Sequence, residues 1–292
     1  MKHIVSRNNA LFRSISKLAH SSRARRKTGK ALLDGPHLVS AYCTVFGVPE
    51  TVVVSASGMK HDEIRNLLRQ IPGLDPYELP DSLFKEISPV ASPAGILAVI
   101  NAPVPISKPE KIRFCVLLEN IQDAGNLGSI LRSAAAAGTD CAYLSKNCAF
   151  AWSPKTLRAA MGAHFQLPII EDADLLDVAK SFKGKVITTD PEAEKSLYQT
   201  DCRGPVAFVI GSEGTGVSPP LLKFAHECIK IPMPGKTESL NVAAAAAICL
   251  FEQMRQLGEA AQAQIEAAPD AAALEALSVG IMGKKSPLST LM

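Results

Sequence analysis

The chain has 292 residues, of which 47% are hydrophobic and 20% charged, with a formal net charge of +3. That composition belongs to a globular protein with a sizeable core and excludes a disordered or fibrous chain. The seven cysteines form no Cys-x-x-Cys pair and have no histidine at zinc-ligand spacing, and the longest apolar run, Val242–Phe251, is too short for a membrane helix. The expectation is therefore reduced thiols, no metal and no membrane partner, in a cytoplasmic protein.

Residues 1–33 carry nine Lys or Arg and no acid, the first being Asp34. Such asymmetry points to an anionic partner. The same Arg-rich, Ser-containing, acid-free stretch also has the composition of an organellar transit peptide, which leaves an organellar matrix as the alternative location. Leu11, Ile15 and Leu18 recur at helical spacing and fit either reading. Next come a strand at Ala31–Leu33, a helix at Pro36–Phe46, a strand at Thr51–Ser55, a helix at His61–Gln70 and a strand at Gly95–Ile100. Residues 1–100 thus read as a small α/β module. The three prolines of residues 101–111 mark a linker.

Beyond the linker, apolar β-type runs at Phe114–Glu119, Cys141–Leu144, Lys185–Thr189, Val206–Ile210 and Cys228–Pro232 alternate with helical stretches at Leu127–Ala137, Pro154–Met161, Asp174–Phe182, Pro219–Phe224 and Leu240–Gln256. The alternation predicts an α/β domain over 112–257 with a mostly parallel sheet covered on both faces. Ligands of such sheets sit in the loops beyond the strand carboxyl ends. Residues 258–292 form an Ala-rich extension with a loosely held end.

Three segments carry chemistry. Gln122-Asp123-Ala124-Gly125-Asn126-Leu127-Gly128 follows a strand, opens a helix and leads to Arg132 about two turns in. Its glycines let backbone amides approach an anion. Read blandly, it is a strand-to-helix turn with Asn126 as N-cap and Arg132 solvated. Gly211-Ser212-Glu213-Gly214-Thr215-Gly216 surrounds one acid with three glycines and matches neither a phosphate-binding P-loop nor a dinucleotide fingerprint. Its acid could bond a ribose hydroxyl or orient an arginine, or simply be exposed on a tight turn. Ile231-Pro232-Met233-Pro234-Gly235 runs through Ser239, a plausible N-cap, and Asn241 into a small-residue helix suited to close packing in a core or a dimer.

In order and in residue detail, these segments resemble the signature motifs of the SpoU/TrmH branch of the SPOUT RNA methyltransferases. The resemblance covers residues 112–257 and extends to Trp152-Ser153-Pro154-Lys155 and Arg158-Ala159-Ala160-Met161-Gly162-Ala163. The N-terminal part is similar to the family's RNA-binding domain at Leu33-Asp34-Gly35 and Ser92-Pro93-Ala94-Gly95-Ile96. Ala124, Ala94 and Asp34 depart from the residues common in the family, and none of the three removes a group the chemistry needs.

The resemblance implies a parallel sheet with a C-terminal trefoil knot, S-adenosylmethionine as cofactor and a homodimer. It implies that Gly211, Ile231 and Leu240 hold the cofactor, with Thr189, Met233 and Gly216 as further candidates. Arg132 would assist methyl transfer to a ribose 2′-hydroxyl, as base or as electrostatic stabiliser. Asn126, Glu213, Ser239 and Asn241 would orient Arg132 and the ribose. The basic residues Arg7, Arg13, Arg23, Arg25, Arg26, Lys27 and Lys30 become candidates for contact with RNA phosphates. Ribosomal RNA is the expected target. Transfer RNA, a base-nitrogen acceptor and a non-catalytic RNA-binding role are the alternatives.

Overall fold

The structure, a computed structural model, describes residues 2–71, 73–90, 92–103, 106 and 109–270. It divides into two compact units, Met1–Ile106 with Phe150–Gln166, and Ser107–Ala149 with Leu167–Met292.

The first unit is built on a five-stranded mixed sheet. Its elements are β1 (Lys2–His3), α1 (Ala10–His20), α2 (Ser22–Thr28), β2 (Lys30–Asp34), α3 (Pro36–Phe46), β3 (Thr51–Ser55), α4 (Asp62–Gln70), β4 (Tyr77–Leu79), α5 (Asp81–Ile87) and β5 (Ile96–Asn101). The strand order is β1-β4-β3-β5-β2, with β5 antiparallel to both β2 and β3. The basic N-terminal stretch belongs to this fold: Phe12, Ile15 and Leu18 of α1 are buried against Leu32, Phe84 and Leu97. Each such side chain contributes roughly 1.5–3 kcal/mol by leaving water. Gly95, just before β5, has φ +91°, and a Cβ there would lie 2.8 Å from the Gly58 Cα, so only glycine fits.

In the second unit, β6 (Phe114–Leu118), α6 (Ala124–Ala136) and β7 (Cys141–Leu144) come first. α7 (Pro154–Ala160), in the stretch that groups with the first unit, follows. The chain then returns with β8 (Ile169–Ile170), α8 (Leu175–Ser181), β9 (Lys185–Thr189), β10 (Lys195–Ser196), β11 (Val206–Ile210), α9 (Pro219–Phe224), β12 (Glu227–Lys230) and α10 (Val242–Glu266). All seven strands are parallel, in the order β10-β12-β9-β11-β6-β7-β8. The central strands β6 and β11 are buried along their whole length, as a sheet covered on both faces requires. α10 packs on α6, bringing Val242, Ala246, Cys249 and Leu250 to the buried side. The small side chains of α10 therefore serve core packing at least in part.

Contacts place Phe150–Gln166 with the first unit, although its sequence reads as part of the 112–257 stretch. Arg158 pairs with the carboxylate of Asp34, Phe165 meets Tyr42 and Phe46 edge-on, and Arg26 lies 4.2 Å from the Phe150 ring. The short strands β1, β4, β8 and β10 lack the length that makes period-two patterning visible, and α5 also escapes the sequence reading. The expected linker falls partly on residues 104, 105, 107 and 108, and most of the expected extension on 271–292; both sets lie outside the described residues.

Candidate active site

The parallel sheet brings four exits to one edge. β12, β9, β11 and β6 are neighbours in that order, with Thr189 opposite Ile229, Thr188 opposite Val209, and Ile210 opposite Leu118. The chain leaving β6 runs into α6, that leaving β11 into Gly211–Gly216, and that leaving β12 into Ile231 and on to α10. Segments more than 100 residues apart in sequence thereby share one end of the sheet.

At that end Asn126, Glu213 and Asn241 form a closed hydrogen-bonded cluster. Asn241 Oδ1 accepts from the backbone N–H groups of Ala243 and Ala244 at 3.0 and 3.3 Å, capping α10. With its oxygen turned to donors, the Asn241 amide nitrogen must face the other way. It donates to Asn126 Oδ1 at 3.0 Å and to Glu213 Oε1 at 3.3 Å. Asn126 must then present its own amide nitrogen to Glu213, and it donates to Oε1 at 2.5 Å. Both amide orientations follow from the helix cap. The bland reading of Asn126 is corrected, since Asp123 is the N-cap of α6 and accepts from the Asn126 N–H at 2.8 Å. Ser239 likewise does not cap α10; it is exposed two residues before the actual cap.

The Gly211–Gly216 turn is closed by its own atoms. Gly216 N–H donates to Ser212 O at 2.9 Å, and the Ser212 and Thr215 hydroxyls are 2.8 Å apart. A Cβ on Gly211 would fall 2.2 Å from the Gly216 carbonyl group, so the turn cannot close with any other residue at 211. Beside the cluster lies a pocket of about 350 Å³ whose walls include Asn120, Gln122, Asp123, Asn126, Asn147 and Glu213. Arg132 is exposed on α6, four residues after Gly128, and makes no hydrogen bond or ion pair among the described residues.

The proposed cofactor residues lie on the β9, β11 and β12 side of this edge. Thr189 ends β9, Gly211 follows β11 and Ile231 follows β12. Ile231 and Met233 are half-exposed and Leu240 is 36% exposed, so apolar side chains remain available to a ligand beside backbone polar groups. That donor set suits a nucleoside with an apolar-faced ring. Among the described residues, no group of three or more His, Cys, Asp or Glu could hold a metal, and no helix is long and apolar enough to cross a membrane.

The basic candidates of the first unit separate by surroundings. Arg13, Arg23 and Lys27 are exposed on α1 and α2, and Arg26 is exposed over the Phe150 ring. Arg7 pairs with Glu86 at 2.5 Å, and Lys30 pairs with Glu50. Arg25 is buried and donates to Leu18 O and to Ala19 O, the latter at 3.1 Å; burial lowers its pKa. Its guanidinium joins the corner between α1 and α2 and is not open to a ligand, unlike the exposed candidates.

The model of the SpoU rRNA Methylase family matches residues 113–251. The 23S rRNA (guanosine(2553)-2′-O)-methyltransferase RlmP of Bacillus subtilis is 32% identical over 253 residues, covering 86% of this chain and 98% of its own. The chain belongs to the SpoU rRNA methylase family. A solved RNA 2′-O ribose methyltransferase superposes with a TM-score of 0.76 at 26% identity, covering 87% of this chain and 98% of that one. An AdoMet-bound rRNA methyltransferase of Sinorhizobium meliloti gives 0.74 at 25% identity, covering 88% and 98%. Membership brings the SpoU reaction class, methyl transfer to RNA, and its donor, S-adenosylmethionine. Sequence reasoning missed Asn120 and Asn147 in the pocket wall, since single amides in turns carry no spacing signal. It could have found the Asp123 cap from an Asx residue directly before a helical run.

Proposed function

We propose that this SpoU-family chain transfers a methyl group from S-adenosylmethionine to a ribose 2′-hydroxyl of ribosomal RNA. The observation that carries the reading is the Asn126–Glu213–Asn241 cluster, at the same sheet end as the Gly211 turn and α6 with its unpaired Arg132. When bound, S-adenosylmethionine would supply an electrophilic methyl group on a sulfonium.

A ribose hydroxyl is a poor nucleophile until its proton departs or its developing charge is stabilised. A guanidinium is a poor proton acceptor, so Arg132 acts as an electrostatic stabiliser of the forming alkoxide and a clamp on the adjoining phosphate, while the ribose proton passes to solvent water at this exposed sheet edge. Asn126 and Asn241, locked in orientation by the α10 cap, hold Glu213 in place and fix the acceptor ribose with Ser239. Gly211, Ile231 and Leu240, with Thr189, Met233 and Gly216, hold the cofactor. Alignment of the two reactants supplies most of the rate gain.

Arg13, Arg23, Arg26 and Lys27 provide electrostatic attraction for RNA phosphates, with Arg7 and Lys30 joining once released from their acidic partners. The protein acts as a homodimer, a reading supported by the exposed Ala244 and Phe251 and the half-buried Ala247 and Ile248 along one stripe of α10. The trefoil knot and a cytoplasmic location belong to the same proposal, supported by family membership. The test is a ribose-methylation map of total RNA with and without the protein. One ribosomal nucleotide is expected to lose its resistance to alkaline cleavage when the protein is absent; an unchanged map, or a change confined to a base, overturns the reading.

A further inference from the structure

The pocket beside the cluster has walls of unusual chemistry. Its eleven lining residues include no Lys or Arg, so it is not built for a phosphate. Ile121 and Val242 are its only large apolar members, and both are buried, so it is not built for a greasy ligand either. Three of its amides, on Asn120, Gln122 and Asn147, take no part in the Asn126–Glu213–Asn241 cluster. Glu213 accepts both cluster amides on Oε1, and its Oε2 has no hydrogen bond among the described residues.

The loops that carry two of these amides are held in place. Asn120 has a φ of +56°, and its backbone N–H donates to Ser145 Oγ at 3.0 Å. Asn147 lies in the turn that Cys148 N–H closes on Ser145 O, also at 3.0 Å. Ser145 thus ties the two loops together. A left-handed backbone in a non-glycine residue is retained where surrounding structure imposes it, commonly at ligand sites.

The amides of Gln122 and Asn147, each offering a donor and an acceptor, complement the hydrogen-bonding edge of a nucleobase, together with the Asn120 amide nitrogen, whose companion oxygen meets Ser145 Oγ at 3.5 Å, and Glu213 Oε2. We propose that this pocket receives the unstacked base of the target nucleotide and that Asn120, Gln122 and Asn147 read its edge while Glu213 Oε2 accepts from a base N–H. The proposal rests on the ribose-methylation reading. Asn126 and Glu213 belong to both the pocket wall and the cluster, so a base seated here brings its own ribose to the cluster. A base still paired in a helix cannot enter, which selects an unpaired or extruded nucleotide.

Gln122 and Asn147 are exposed and make no hydrogen bond among the described residues, so their truncation leaves the fold intact. The Gln122→Ala/Asn147→Ala double variant is compared with wild type on ribosomal RNA from cells lacking the protein, with S-adenosylmethionine affinity read by calorimetry. Expected are a cofactor affinity unchanged within about twofold and a kcat/KM for RNA lowered about tenfold or more. On RNA with an abasic ribose at the mapped position, wild type should fall at least to the level of the variant, and the variant, which keeps Asn120 and Glu213, should fall by less than wild type does. Undiminished kcat/KM overturns the proposal, as does a loss of cofactor affinity, which would assign the pocket to the cofactor. A wild type that leaves no alkali-resistant ribose overturns the methylation reading and this one with it. An active wild type with indifferent variants overturns this one alone.

Discussion

At the carboxyl edge of the parallel sheet, Asn126, Glu213 and Asn241 satisfy one another near the surface, whereas in the unit built on the mixed sheet Asp34 and His164 are buried and satisfied only in part. The first group is held by a helix cap and keeps spare hydrogen-bonding capacity towards solvent. The second spends its capacity on the fold: Arg158 reaches Asp34 from α7, and the His164 Nε2–H donates to Ala151 O at 2.7 Å. Buried polar groups are costly unless fully paired, so they mark where packing over-determines structure. Exposed ones that are nonetheless ordered mark where something else is to be bound.

The sharpest way to break this comparison is a pair of arginine truncations. Arg132→Ala removes an exposed, unpaired guanidinium and is expected to lower kcat by about a thousandfold with Tm and cofactor affinity unchanged, as loss of a charge that acts on the developing alkoxide should. Arg158→Ala strips the partner from the buried Asp34 carboxylate. Burial already raises the Asp34 pKa against the opposing pull of Arg158, and about half of the Arg158 side chain reaches water. The cost should therefore sit at the low end for a broken buried pair, about 3 kcal/mol. Urea unfolding and methylation assays on both variants check the crossing. A stable but inactive Arg158→Ala protein, or an unstable Arg132→Ala protein, would abolish the distinction.

Acid titration sharpens the same contrast within the first unit. Burial pushes His164 down to about 4 despite its hydrogen bond to Ala151, while the unfolded residue titrates near 6.5. Between those values the unfolded chain binds more protons, so stability is present above pH 6.5 and is lost as pH falls towards 4. The loss amounts to about 3 kcal/mol. Asp34 works with the opposite sign: its raised pKa contributes stability that is full below 3.8 and is lost as pH rises through the folded value. The acid limb of wild type is thus His164 softened by Asp34. His164→Gln should flatten it and Asp34→Asn should steepen it, as measured by urea midpoints from pH 4 to 7.

The two regions also differ in how legible they were. The parallel-sheet unit was readable because its central strands are buried on both faces, and uninterrupted apolar runs such as Val206–Ile210 have few other structural uses. Its site was readable because strand exits are where such sheets bind ligands and because three glycine- or proline-rich segments follow three of those runs. What stayed hidden were the caps. Ser239 and Asn126 are good cap residues by composition, but Asn241, two residues after Ser239, and Asp123, three residues before Asn126, hold those positions, and composition does not fix at which residue the chain turns. The docking of Phe150–Gln166 on the first unit was hidden too. It depends on Asp34 and Arg158, 124 positions apart, and long-range pairs leave no periodic trace.

Asn241 offers the smallest and most selective test, because it joins both kinds of work in one side chain. Its Oδ1 caps α10, and its Nδ2 donates to Asn126 and Glu213. Asn241→Ala loses both functions and should cost about 1 kcal/mol for the cap together with activity. Asn241→Asp keeps an oxygen on the Ala243 and Ala244 N–H groups, with a charge that suits a helix N-terminus, so its Tm should match wild type. That variant sets a second acceptor against Asn126 Oδ1 and a second carboxylate against Glu213. A fall of about tenfold in kcat is expected, partly recovered on lowering the pH as the two carboxyl groups come to share a proton. A fully active, pH-insensitive Asn241→Asp protein would reduce the cluster to a helix cap, and the exposed polar groups of the sheet edge would then be as purely structural as the buried ones of the mixed-sheet unit.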